Sequence, residues 1–143
     1  MFSKHSKPQN RIDSLIGAGT RVSGDIHFTG GLRVDGEVSG SVIADPAKAS
    51  TLVLSEQARV HGEISVTHLV VNGMVTGPIQ ASEYLELQSK AKINGDVHYT
   101  TLEIQLGAIV EGRLIHSSTA AQDKDKVVAF KSSTGEFKAS TGE

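Results

Sequence analysis

The side chains of this 143-residue chain that could do acid–base or metal chemistry are six histidines, His5, His27, His61, His68, His98 and His116, and a scatter of carboxylates. A general base needs an orienting carboxylate and a shielded groove. Glu63, two residues after His61, could be imagined as such a partner. A zinc site needs clustered His, Cys or carboxylate ligands. No histidine here has a second His or an acid four residues away, and the chain contains no cysteine. His27, His61 and His98 could still stack on one face if the fold were to align them. Asp25, Asp35 and Glu37 are single acids, unlike the dense Gly/Asp nonapeptides of calcium-loaded β-rolls. Gly17-Ala18-Gly19-Thr20 comes closest to a phosphate-cradling loop, but it leads into alternating residues and not into a helix. The expectation is therefore no catalytic residue, no metal site and no cofactor.

What would position any of these groups is a repeat. Val71-Asn72-Gly73-Met74-Val75-Thr76-Gly77-Pro78-Ile79 alternates aliphatic or glycine residues with others, and the pattern recurs along the chain. Thr20-Arg-Val-Ser-Gly-Asp-Ile26, Ala58-Arg-Val-His-Gly-Glu-Ile64, Ala91-Lys-Ile-Asn-Gly-Asp-Val97 and Ala108-Ile-Val-Glu-Gly-Arg-Leu114 are four copies of one heptad. Leucines followed two residues later by an aliphatic (Leu32, Leu52, Leu69, Leu85, Leu102) set the register, and Leu15 would begin an earlier, irregular copy. The spacings from Leu15 onward are 17, 20, 17, 16 and 17 residues. The long interval holds Ala44-Asp45-Pro46-Ala47-Lys48-Ala49-Ser50, a loop signal because Asp-Pro opens a turn and proline cannot donate to a ladder. Two kinds of repeat alternate. One has glycines four and eight residues after the leucine (Gly36/Gly40, Gly73/Gly77); the other has alanine at the midpoint (Ala58, Ala91, Ala108) and glycine near the end.

The period inside each copy is two, which reads as strand with one buried face. About seventeen residues holding two or three short strands cannot close a sandwich layer, but they can form one turn of a coil that bonds to the next turn. The expected fold is all-β: a single-stranded parallel β-helix of about six rungs. A narrow stacked interior filled by aliphatics also accounts for an aromatic content of 4%. An antiparallel meander is the other arrangement, with Asn72-Gly73 and Asn94-Gly95 as its best hairpin turns. Handedness is not visible in the pattern.

The boundaries follow. Residues 1–13 form a polar arm with an apolar tip, Met1-Phe2, and with Lys4, Lys7 and Arg11 against Asp13. Residues 14–116 form the β-helix. Residues 117–143 are small and polar and are expected to be a disordered tail. A formal net charge of −2 overall, with seven basic and eleven acidic residues in 14–116, argues against a nucleic-acid partner. No apolar run approaches the roughly 18 residues of a spanning helix, and the N-terminus lacks a signal-peptide core. With no cysteine, the expectation is a cytoplasmic protein.

Leu15-Ile16-Gly17-Ala18-Gly19-Thr20-Arg21-Val22-Ser23-Gly24-Asp25-Ile26, then Phe28-Thr29-Gly30-Gly31-Leu32-Arg33-Val34-Asp35-Gly36-Glu37-Val38-Ser39-Gly40, and the tip Met1-Phe2-Ser3-Lys4 together resemble the bactofilins, bacterial polymer-forming cytoskeletal proteins. The resemblance covers roughly residues 12–116 plus the tip. It implies a right-handed β-helix and nucleotide-independent, non-polar filaments. It also implies an arm that touches the inner membrane, and a role in positioning cell-wall enzymes (peptidoglycan synthases or hydrolases) and influencing cell shape.

Physical chemistry points the same way. A solenoid has two open ends whose unpaired strands template further pairing, and monomeric repeat proteins cover them with polar caps. No amphipathic capping helix is evident. The expected polymerisation interface is Leu15, Ile16, Val22, Ile26 and Phe28 at one end, and Leu102, Ile104, Leu106, Val110, Leu114 and Ile115 at the other. Met1, Phe2, Lys4 and Lys7 are the expected membrane-binding residues: a phenylalanine at an interface gains about 1.5–3 kcal/mol, and each lysine near an anionic leaflet about 1 kcal/mol. Two alternatives stand beside this: a hexapeptide-repeat acyltransferase with a catalytic histidine, and a monomeric β-helical binding module capped by its tails.

Overall fold

The structure, a computed structural model, describes residues 11–117. It is an all-strand parallel β-solenoid of about six turns. Each turn visits three faces. The first face stacks β1 (Ser14–Ile16), β4 (Gly30–Val34), β7 (Ser50–Leu54), the later part of β9 (Ile64–Val71), the later part of β11 (Ile79–Leu87) and β14 (Leu102–Ile104). The second stacks β2 (Arg21–Ser23), β5 (Glu37–Ser39), β8 (Arg59–His61), β10 (Met74–Thr76), β12 (Lys92–Asn94) and β15 (Ile109–Glu111). The third stacks β3 (Ile26–Phe28), β6 (Val42–Ala44), the opening residues of β9 and β11, β13 (Val97–Tyr99) and β16 (Leu114–His116). All of these pairings are parallel. Asn72-Gly73 and Asn94-Gly95 accordingly make no hairpin: each is a stretch where one parallel strand hands on to the next.

The core is a set of columns running along the solenoid axis. Val22, Val38, Val60, Val75, Ile93 and Val110 stand in register on the second face. On the third, Ile26 and Val42 continue into Ile64, Ile79, Val97 and Leu114. On the first, Leu32, Leu52, Leu69, Leu85 and Leu102 continue one another, as the leucine spacing predicts. The interior members of these columns are buried, and each such aliphatic contributes about 1.5–3 kcal/mol of transfer free energy. The first turn departs from the leucine register. Ser14, not Leu15, pairs with Leu32, and Leu15 pairs with Arg33 on the outer side. Leu15 is 61% exposed. With no turn beneath it among the described residues, the first strand gains little from holding a leucine in the inward column.

Two corners explain the glycines. Between the second and third faces, Gly24, Gly40, Gly62, Gly77, Gly95 and Gly112 lie one above another, all with positive φ. A Cβ on any of the last five would strike the carbonyl of the glycine one turn earlier. Between the first and second faces the corner is either long or short. The long form is a four-residue turn closed by Thr20 N–H to Gly17 O (3.0 Å), Ala58 to Ser55 (3.0 Å), Ala91 to Gln88 (3.0 Å) and Ala108 to Gln105 (3.2 Å). The short form is Asp35-Gly36 and Asn72-Gly73, whose glycines tuck against the carbonyls of the long corner before them. The two kinds of repeat seen in the sequence are these two corners.

Residues 45–49 loop out between β6 and β7, with Asp45 Oδ1 accepting from Ala47 N–H (2.9 Å). Where the chain returns, buried Ser50 is satisfied by Thr67. Ser50 N–H donates to Thr67 Oγ1 (2.7 Å), Thr67 Oγ1–H donates to Ser50 O (2.7 Å), and Thr67 N–H donates to Ser50 Oγ (3.2 Å). At the N-terminal end Asp13 binds β4 edge-on. Its N–H donates to Gly31 O (2.9 Å) and its Oδ2 accepts from Gly31 N–H (2.9 Å). That last bond, reinforced by Arg11, holds the Asp13 carboxyl below the usual carboxylate range.

Candidate polymerisation surfaces

The first and last turns carry the interior columns to the ends of the solenoid and, among the described residues, leave them open. Ile16, Val22, Ile26 and Phe28 at one end, and Leu102, Ala108, Val110 and Leu114 at the other, pack on the buried core with one side only partly covered. Ile104 occupies the inward column above Leu87 yet is exposed. No helix among the described residues lies over either end. Among the described residues, each end therefore presents a largely apolar patch bordered by three terminal strands.

Of the expected interface residues, Ile16, Val22, Ile26, Phe28, Leu102, Ile104, Val110 and Leu114 face inward at these two ends. Leu15 lies on the outer flank of the first face. Ile115 pairs with His98 in an outward column. Leu106 projects from the last long corner and is 96% exposed. Sequence reasoning missed Ala108, which packs inward at the last corner, and Ile109, which is exposed in the outward column above Lys92. Ala108 was legible as the alanine equivalent to Ala58 and Ala91. Met1, Phe2, Lys4 and Lys7 lie outside the described residues, as does the tail from residue 118 on.

His5 lies outside the described residues, and the five described histidines do not converge on one site. His61 meets Glu37 of the preceding turn (Nε2 to Oε2, 3.6 Å), not Glu63. His27 and His98 share the outward column of the third face, in the first and fifth turns, and His61 is on the second face. His116 stands in the inward column, edge-on to Tyr99 with ring centroids 5.6 Å apart. The His68 side chain is 12% exposed, against 43% for His61. Its Nδ1 meets Thr67 Oγ1 (3.0 Å) and Ser50 O (3.2 Å), and its Nε2 meets Glu83 (3.5 Å). Thr67 Oγ1 is already engaged with Ser50, so this cluster ties the loop-bearing corner together and holds no free nucleophile. Beside it Tyr84 O–H donates to Glu103 (2.8 Å). Burial first, then that bond and the charge of Glu86, push the Tyr84 phenol well above its ordinary value. Burial also raises Tyr99. Among the described residues no three His, Asp or Glu side chains converge as a metal site would require.

The fold is a parallel β-solenoid whose aliphatic columns run into both terminal turns. Comparison with known proteins gives that fold a family. Residues 14–115 match the model of the bactofilins, described as polymer-forming cytoskeletal proteins, and the chain belongs to that family. It is similar to bactofilin BacP of Myxococcus xanthus (strain DK1622), 28% identical over 109 residues, which are 76% of this chain and 44% of BacP. It is also similar to bactofilin BacO of the same organism, 26% identical over 102 residues, 71% of this chain and 78% of BacO. The chain thus covers less than half the length of BacP. No solved structure gives a significant match.

Proposed function

We propose that this chain is the protomer of a bacterial cytoskeletal scaffold that stacks end to end, through its first and last turns, into nucleotide-independent filaments. The observation that supports this most is the pair of open ends. Val22 and Val110 belong to the same column as fully buried Val38, Val60 and Val75, and a further turn stacked on either end would cover them in the same way. Head-to-head and tail-to-tail contacts would each be isologous and give a filament without polarity; the bactofilin resemblance favours this arrangement over head-to-tail stacking. Filaments displaying many N-terminal arms would convert weak single attachments through Met1, Phe2, Lys4 and Lys7 into stable binding at the cytoplasmic face of the inner membrane. There they would position peptidoglycan synthases or hydrolases and influence cell shape. Electron microscopy and sedimentation of the purified protein without nucleotide test the reading. Filaments are the expected result; a stable monomer at all concentrations overturns it.

A further inference from the structure

The alternation of long and short corners cuts two notches into the edge between the first and second faces. In each, a short corner recedes between two long ones. The first has Gly36 at its floor and a volume of about 440 Å³; the second has Gly73 at its floor and a volume of about 490 Å³. Their electrostatics differ. Around the first notch the two acids are answered within the fold, Arg21 reaching Glu37 (3.5 Å) and Arg33 holding Asp35 (2.9 Å), and Arg59 forms the wall that the two notches share. The second is lined by Arg59, Lys90 and Lys92 against the single acid Glu56. None of these three cations forms an ion pair among the described residues.

The arrangement is specific in other ways. Met74 pairs with Arg59 on one side and Lys92 on the other, so an adaptable thioether separates two cations. Two strand spacings put those two backbones about 9–10 Å apart. The Asn72 side chain fixes the corner that carries Lys90, Oδ1 accepting from Lys90 N–H (2.9 Å). The floor is kept deep because a Cβ on Gly73 would collide with Ser55 O and Ala58 O.

We propose that this second notch is a docking site for an extended acidic peptide segment, with two carboxylates flanking an apolar residue. The carboxylates would meet Arg59 and Lys92, the apolar residue would cover Met74, and Lys90 would close the rim. A nucleic acid is disfavoured by the eleven acidic against seven basic residues of the core. A flat bilayer does not enter a notch walled by two protruding corners. Each protomer carries one such notch on its flank, away from the open ends. A filament would therefore present a row of them and hold a multivalent acidic partner by avidity.

Fluorescence anisotropy of the full chain with a labelled Asp-Leu-Asp-Leu-Glu peptide tests this. A charge-reversed Lys-Leu-Lys-Leu-Arg peptide and vesicles of anionic lipid serve as the other probes. The acidic peptide should bind in a salt-sensitive way, and Arg59→Glu/Lys92→Glu should weaken it by about ten-fold or more. Arg21→Glu/Arg33→Glu, with the same change of net charge around the first notch, should leave it within about two-fold. Lys90→Ala/Lys92→Ala repeats the test with milder changes at exposed positions, and sedimentation of each variant separates loss of docking from loss of assembly. Equal weakening by both reversals, or no binding by the wild type, overturns the site. Vesicle binding that depends on Arg59 and Lys92 without peptide binding overturns it in favour of a membrane-facing edge.

Discussion

Val110 stands in register with Ile93 in the same inward column, yet Ile93 is 1% exposed and Val110 is only partly covered. Among the described residues, a following turn covers Ile93 and none covers Val110. At the opposite end, Val22 stands in the same relation to Val38.

Charges placed at these two positions separate the ways of stacking. A charge buried without a partner costs several kcal/mol, so Val110→Arg should block the C-terminal contact and Val22→Arg the N-terminal one. If the contacts are head to head and tail to tail, each single variant stops at dimers, and the double variant is monomeric. If stacking is head to tail, either single variant is already monomeric. Analytical ultracentrifugation reads the difference. Unaltered far-ultraviolet circular dichroism is expected because both sites lie at the ends. Filaments persisting in both single variants would remove the terminal turns as the interface.

The glycine corner supplies a stability test with internal controls. Gly62 has a φ of +156° and Gly77 of +143°, and a Cβ on either meets the backbone of the preceding turn. Gly62→Ala and Gly77→Ala should each cost about 1–3 kcal/mol or more. Gly19 has open space and no positive φ, so Gly19→Ala should change stability by about 0.5 kcal/mol or less. Thermal unfolding of the three variants checks the ranking; equal losses would mean that corner stacking does not govern glycine use here.

The interior was legible in the sequence because aliphatics recur at a near-constant turn length, so Leu32, Leu52, Leu69, Leu85 and Leu102 fall into one column without further information. The two corner types were legible for a related reason: Gly36 and Gly73 mark the short form, and Ala58, Ala91 and Ala108 the long one. The first turn was not, because Ser14 occupies the leucine position there. A terminal strand covered on one side escapes the selection for apolar volume that makes register readable. The partners of outward residues were also hidden. Glu37 beside His61, and Glu83 and Ser50 beside His68, are set by inter-turn register and corner length, not by nearness along the chain. The notch at Gly73 was hidden likewise, since it depends on which corners happen to be neighbours.

Tyr84 gives an alkaline signature. Its phenol is raised from an ordinary value of 10.0 by burial, by donation to Glu103 and by Glu86. A group raised in the folded state contributes stability that is complete below its unfolded value and is lost as pH rises through the folded one. The protein should therefore lose stability progressively above about pH 10, with tyrosinate absorbance appearing later than in the denatured chain. Tyr84→Phe should flatten that loss and cost about 1 kcal/mol or less near neutrality, because the bonds face solvent. Tyrosinate absorbance rising at the ordinary pH in the folded protein would contradict the assignment.

The arm is tested with vesicles. Phe2→Glu removes the apolar tip and adds a charge that an anionic leaflet repels, so pelleting with anionic vesicles should fall several-fold in assembled protein. A variant that also carries Val110→Arg and Val22→Arg should pellet poorly even with Phe2 intact, because the loss of avidity leaves one marginal anchor. Equal pelleting of wild type and Phe2→Glu would end the membrane role of the tip.

Besides strand pairing, one carboxylate ties the last turn to the fifth. Asp96 Oδ1 accepts from Arg113 N–H (3.2 Å), and Oδ2 takes the guanidinium (Nη2, 2.9 Å). Those two bonds hold the Asp96 carboxyl below its ordinary range. Asp25 makes a comparable bridge between the first and second turns, accepting from Ser41 N–H (2.9 Å). A carboxyl depressed in the folded state contributes stability above its unfolded value and loses it as pH falls through the folded one. Acidification through the carboxylate range should therefore loosen the C-terminal turn, with faster exchange of the Arg113 and Leu114 amides while the Ile64–Val71 amides stay protected. Asp96→Ala should produce that fraying at neutral pH. Asp96→Asn, which keeps an oxygen for Arg113 N–H but not the charge, should fall between. Because Leu114 belongs to the open end, the same variants should shift assembly toward shorter filaments in the order Asn, then Ala. Exchange rates at Arg113 unchanged in Asp96→Ala would show that backbone pairing of β16 with β13 holds the turn unaided.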